Sequence, residues 1–133
     1  MNLGVRPMPL AGTWYPATAQ ACQAAMVAYG QDPAPAPQAR FGLVPHAGWA
    51  YSGAIAARVF RALATTPGVD LAVVLGGHLR QSDSIVATRG AAWQTPFGPL
   101  PLYRGLDEAL GGLPVEWEDP RAYTPDNSIE VQL

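Results

Sequence analysis

The 133-residue sequence contains no lysine, a single cysteine and few charges: eight arginines stand against ten acids, the net charge is −2, and only 14% of residues are charged. Each shortage excludes something. Without a basic stripe there is no footprint for nucleic acid or for an anionic membrane surface. With Cys22 alone, no internal disulfide framework can form. The longest nearly continuous apolar run, Val69 to Gly77, is interrupted by Asp70 and falls far short of the ~20 residues that span a bilayer. Met1 to Arg6 lacks the basic-then-apolar order of a secretory signal, so the expected location is cytoplasmic. Low charge together with 49% apolar residues excludes a disordered, collagen-like or coiled-coil chain. The length suits one domain with a buried core.

What is present is an alternation of helical and strand-like segments. Pro7, Pro9, Gly12 and Pro16 make the first sixteen residues irregular. Thr18 then predicts a cap for an amphipathic helix over Ala19 to Tyr29, with Cys22, Ala25, Met26 and Tyr29 on its apolar stripe. On that stripe Cys22 reads as a small core residue. Asp32 to Gln38 is a polyproline-like connector. Phe41 to Pro45 reads as a buried strand, Ser52 as the cap of a helix over Gly53 to Ala64, and Val69 to Leu75 as a second buried strand. A strand, a helix and a strand in this compass form a βαβ unit with parallel strands, so the fold class is α/β. Ser84 to Thr88 and Leu100 to Tyr103 read as further strands, with a Pro- and Gly-rich loop through Trp93 to Gly98 between them. Leu106 to Leu110 has helical character, and beyond Pro114 only Ser128 to Leu133 looks regular.

The two histidines, His46 and His78, each follow one strand of the βαβ unit. Both therefore fall at the same carboxyl edge of a parallel pair, where open α/β sheets bind ligands. Each has glycine beside it, in His46-Ala47-Gly48 and Gly76-Gly77-His78. Two converging imidazoles point to a transition metal, against the plainer reading of two hydrogen-bonded loop residues. Gly76-Gly77-His78 has neither the dinucleotide fingerprint nor the terminal Lys of a P-loop, which argues against nucleotide binding. Trp14, Tyr15, Trp49 and Tyr51 are either core packing or the walls of a pocket at that edge. Asp126 and Glu130 share a face if their segment is helical, and taken alone they read as solvated.

These residues fall into ordered blocks: Val5-Arg6-Pro7 with Ala11 to Pro16, Val44-Pro45-His46-Ala47-Gly48-Trp49-Ala50-Tyr51-Ser52-Gly53, Leu75 to His78, Trp93 to Gly98, and Asn127 to Leu133. In order and spacing they resemble the Memo family, also called AmmeMemoRadiSam system protein B, over nearly the whole chain. The resemblance implies a three-layer α/β/α sandwich with a mostly parallel sheet, like the class III (LigB-type) extradiol dioxygenases, which hold non-haem Fe(II) on two His and one carboxylate. Memo proteins keep the two histidines and offer a Cys as third ligand, with iron or copper as the metal. Carried across, His46 and His78 match the metal ligands, while Trp14 and Tyr51 match pocket aromatics, and Trp49 sits beside them. Three departures follow. Family members are about twice this long, so residues 1–133 correspond to an N-terminal half, and the Cys ligand lies in the other half, unmatched by Cys22. The family's Glu-His-Ser becomes Asp126-Asn127-Ser128, so Asp126 and Asn127 are the candidate catalytic positions, with Asn127 unable to do the acid–base work of a histidine. The usual Pro-Ser-His becomes Gly76-Gly77-His78.

The expected function is thus a Memo-like site for one iron, copper or zinc ion, of oxidoreductase ancestry, with its third ligand outside this chain and little turnover in isolation. Two alternatives stand beside it. One is a non-catalytic module for a peptide or small anion, since a family member is described as binding phosphotyrosine peptides. The other is a half-domain whose open sheet edge is covered by an oligomer or a complementing chain.

Overall fold

The structure is a computed structural model that describes residues 4–31, 38–78, 84–119 and 123–133. The expected polyproline connector lies outside the described residues except for Gln38. The first helix, α1 (Ala19–Tyr29), forms as its sequence predicts. Thr18 is extended, with φ −118° and ψ 147°, and its hydroxyl accepts the Ala21 N–H, satisfying a donor that the first turn leaves free. At the other end the Gly30 N–H donates to the Met26 carbonyl, and Cys22 is buried on the inner face.

The second helix, α2 (Trp49–Ala64), begins earlier than the sequence suggests. Its cap is Gly48, with φ −59° and ψ 150°, and the Gly48 carbonyl accepts the Tyr51 and Ser52 N–H groups. Ser52 is not a cap. Already inside the first turn, it sends its hydroxyl back to the Ala47 carbonyl at 2.8 Å and to Gly48 at 3.3 Å, the usual recourse of a helical serine. The Trp14 carbonyl closes the same turn by accepting the Trp49 N–H at 2.8 Å. Helices α1 and α2 pack where Gly53 faces Tyr29, and a Cβ at 53 would run into the Tyr29 ring. The Arg61 guanidinium, in the last turn of α2, donates to the Gly30 carbonyl at the end of α1, where the helix dipole favours a cation.

Among the described residues the strands make two small sheets. In the first, β1 (Val5–Arg6) pairs parallel with β3 (Ala92–Thr95), which pairs antiparallel with β4 (Gly98–Pro101). In the second, β2 (Ile85–Ala87) pairs parallel with β5 (Val115–Trp117). A four-residue helix, α3 (Leu106–Ala109), precedes β5, and α4 (Asn127–Glu130) follows it. Helices with mostly parallel ladders confirm the α/β class. The segment expected to be a loop between Trp93 and Gly98 is instead the β3–β4 hairpin. Its turn is fixed by the Thr95 hydroxyl, which donates to the Gly98 carbonyl and accepts the Phe97 N–H, while Gly98 takes φ +110°. This shifts the following strand to Gly98–Pro101, ahead of the expected Leu100 to Tyr103.

The two segments of the expected βαβ unit behave differently. Phe41 to Pro45 and Val69 to Leu75 have no ladder partner among the described residues, and neither is a strand. A central parallel strand needs both faces covered, and here Phe41, Leu43, Val73 and Leu75 are largely exposed. The buried apolar core lies elsewhere, around Tyr15, Cys22 and Val131, with Leu10, Ala11 and Trp49 packed against it.

Candidate functional site: the histidine edge

His46 and His78 come together as the sequence anticipates. Their rings stand edge to face, with centroids 5.1 Å apart, and both are exposed. Each ring follows one of the extended segments, and α4 ties the two ends together. The Asn127 amide nitrogen donates to the His46 carbonyl at 2.7 Å, and the Asn127 amide oxygen lies 3.0 Å from His78 Nε2. Gln132 likewise donates to the Pro45 carbonyl. Because the amide nitrogen of Asn127 is committed to a carbonyl, its oxygen is left to accept, so His78 pairs with it through a protonated Nε2 and a neutral ring keeps its lone pair on Nδ1. Gly77, at φ +126°, turns the chain into His78 in a conformation that side-chain-bearing residues rarely adopt. A Cβ at Gly76 would lie only 2.9 Å from Ile129 Cγ1, so α4 approaches this backbone closely.

Asp126 sits beside this bridge as the cap of α4. Its Oδ1 accepts the Ser128 and Ile129 N–H groups at 2.8 and 3.2 Å and also the Ser128 hydroxyl. Burial opposes its charge, but these hydrogen bonds and the nearby His78 outweigh that and hold the carboxyl below its ordinary range. The aromatic candidates separate. Trp49 packs at 5.8 Å from the Tyr15 ring and 6.4 Å from Tyr29, and its indole N–H donates to the Val131 carbonyl. Trp14 is partly exposed and meets the histidine loop through its backbone carbonyl, while Tyr51 projects into solvent.

Two polar clusters escaped the sequence reading. Glu130, read as solvated, is 2% exposed. Its Oε1 accepts the Leu10 N–H at 2.8 Å and the Tyr15 hydroxyl at 2.9 Å. Burial first, then this hydrogen bond and the charge of Glu130, push the Tyr15 phenol far above its ordinary value. Arg6 is 3% exposed. It pairs with both carboxylate oxygens of Glu118, at 3.1 and 2.8 Å, donates to the Thr124 carbonyl, and lies over the Trp93 ring at 3.9 Å and the Tyr123 ring at 4.9 Å. Since Arg6 belongs to β1 and Glu118 follows β5, this pair joins the two sheets. Their separation of 112 residues left no local signal; only the place of Arg6 and Glu130 inside the recurring blocks hinted at a duty.

As a metal centre the edge is partial. Two imidazole rings stand together here, but no group of three His, Cys, Asp or Glu that could hold a metal occurs among the described residues. Cys22 is buried, and burial pushes its thiol up. Asp126 is committed to its cap. Two imidazoles alone hold an ion weakly and orient nothing bound to it.

Comparison with known proteins decides the family. The family model described as Memo-like protein matches residues 6–133. This chain belongs to the Memo-like family. A MEMO1 family protein of Aquifex aeolicus is 33% identical over 131 residues, covering 97% of this chain and 48% of the relative. One from Ignicoccus hospitalis is 32% identical, covering 97% of this chain and 50% of its own. A third, from Pyrobaculum aerophilum, is 35% identical over 94 residues, 69% of this chain and 34% of the relative. The chain thus spans between a third and a half of the length of these Memo-like relatives. Among the described residues, no helix is long and apolar enough to cross a membrane.

Proposed function

We propose that the His46–His78 edge is the N-terminal part of a Memo-like metal site for a single iron, copper or zinc ion, of oxidoreductase type and related to the non-haem extradiol dioxygenases. The observation that carries this reading is the 5.1 Å approach of the two rings at the ends of two extended segments. The chain's own residues do limited but definite work there. Asn127 fixes both loops and the proton on His78 Nε2, Asp126 anchors the turn that presents Asn127, and Gly77 lets the backbone bring His78 to His46. The third ligand, and any group that moves a proton during turnover, lie outside the described residues. The partner is a small molecule or a peptide, and this chain alone has little turnover.

Titration of the 133-residue chain with ferrous iron, copper and zinc, followed by calorimetry, tests the reading. Weak one-to-one binding that disappears in the His46→Ala, His78→Ala double variant is expected. Unchanged stoichiometric binding in that variant would overturn the assignment. Affinity for a phosphotyrosine peptide that survives chelation, with no metal bound, would favour a binding module instead.

A further inference from the structure

His78 can offer only one of its two ring nitrogens to an ion, and its neighbours decide which. A metal takes an imidazole as the neutral ring, which carries a proton on one nitrogen and a lone pair on the other. Whatever fixes the proton therefore fixes the ligand atom. At His78 that group is Asn127. Its amide oxygen lies 3.0 Å from Nε2 and can only accept, because its amide nitrogen already donates to the His46 carbonyl at 2.7 Å. Turning the amide over would set its oxygen against the His46 carbonyl oxygen, so each contact holds the other in place.

Asn127 has little room to withdraw, since α4 is pinned along its length. Asp126 caps it through the Ser128 and Ile129 N–H groups. Glu130 accepts the Leu10 N–H and the Tyr15 hydroxyl. Directly beyond, the Val131 carbonyl accepts the Trp49 indole N–H, and the Gln132 amide donates to the Pro45 carbonyl. On its inner side α4 lies against the chain leading into His78, where a Cβ on Gly76 would press on the Ser128 hydroxyl at 2.5 Å. Nε2 of His78 is thus held by a group that is itself held. Among the described residues, Nδ1 of His78 and the ring of His46 have no hydrogen-bond partner.

We propose, resting on the metal reading above, that Asn127 is a positioning residue that makes Nδ1 of His78 the ligand atom. The bond from Nε2–H to the Asn127 amide oxygen then stands behind the ring as its support. Metal-bound histidines commonly donate their other N–H to a carbonyl or carboxylate, which orients the ring, and loss of that partner costs about 10–100-fold in affinity. The spacing of the rings suits a shared ion. Two imidazoles on one tetrahedral ion, each at about 2.0–2.1 Å, have ring centres about 5 Å apart, and these stand at 5.1 Å.

The test is long-range nitrogen–proton NMR of the nitrogen-labelled 133-residue chain, free and with excess zinc. Zinc is expected to shift the Nδ1 resonance of His78 while Nε2 keeps its proton. Asn127→Ala is expected to weaken zinc binding by about tenfold or more. That variant also loses the contact to His46, so its circular dichroism is compared with that of the parent, and the parent spectra decide the ligand atom whether or not the variant folds. Zinc displacing the Nε2 proton would overturn the proposal. So would unchanged or tighter zinc binding by folded Asn127→Ala, the tighter case making Asn127 a guard over Nε2. Those two results leave the His46–His78 metal reading standing. No zinc bound by the parent, or zinc retained in the His46→Ala, His78→Ala variant, overturns that reading and this proposal together.

Discussion

The Arg6 cluster and the histidine edge are both built from polar side chains drawn from distant parts of the chain, yet they differ in how much of their bonding capacity the chain itself consumes. Arg6 is enclosed: a carboxylate takes its fork, a carbonyl takes a further proton, and two rings cover its faces. His46 and His78 stand in the open, with one ring nitrogen between them engaged among the described residues, by Asn127. The difference teaches where stability and chemistry reside. A charge that is buried and held by a carboxylate cannot be recruited for binding without unfolding its surroundings. Exposed imidazoles with spare lone pairs cost the fold little and remain free for a ligand.

Breaking the buried side of this comparison should give the largest effect. Arg6→Ala leaves Glu118 without its partner and is expected to cost about 3–5 kcal/mol in denaturant unfolding. The Arg6→Ala, Glu118→Ala pair should cost less than the sum of its parts, because the stranded charge is gone. Next comes Glu130→Ala, which strands both the Leu10 N–H and the Tyr15 hydroxyl, for about 2–4 kcal/mol. The same bond predicts an alkaline limit. The folded protein holds the Tyr15 phenol neutral, so the unfolded chain ionises first. The contribution is intact below the ordinary phenol value of about 10 and is lost as pH rises above it. Tyr15→Phe should flatten that slope, and a stability profile of the variant identical to that of the parent would count against it.

Smaller effects belong to the open side. Asp126→Ala removes a cap and should cost about 1 kcal/mol, with nearly all of the loss local to α4. His46→Ala and His78→Ala should each change stability by no more than about 0.5 kcal/mol, as expected for exposed positions, while removing the weak metal binding proposed above. A large stability loss in either would show that the edge is structural and would erase the contrast. Nitrogen-detected NMR of the His78 ring sharpens it further: the neutral ring should carry its proton on Nε2, and Asn127→Ala should release it to a mixture of tautomers.

How much of this was legible in the sequence depended on the range of the interaction. Helix α1 was readable to the residue, because Thr18, the apolar spacing and Gly30 are local signals. The meeting of His46 and His78 was expected from the edge of a parallel strand pair, but the rings meet at the ends of two extended segments that have no ladder among the described residues. The β3–β4 hairpin was hidden by its own turn: Pro96 and Gly98 read as loop, yet Trp93 and Thr95 before them are buried in a ladder. Strands of two or three residues such as β1 and β5 carry too little alternation to be seen. Glu130 looked like a surface charge because a buried ion declares itself only through its partner. Phe41 to Pro45 and Val69 to Leu75 have the composition of central strands, yet among the described residues neither has a ladder partner, because composition fixes the preference of a segment and not the presence of a neighbour.

The contact between Gly53 and Tyr29 reaches further than helix packing. Tyr29 leans edge-on against Trp49, Trp49 opens α2 directly after Gly48, and His46 stands two residues before that glycine. The spacing between two helices is thereby geared to the position of a ring that neither helix contains. A single added methyl at residue 53 would act like a shim under one end of a lever, displacing His46 from His78 while leaving every polar group of the edge chemically intact.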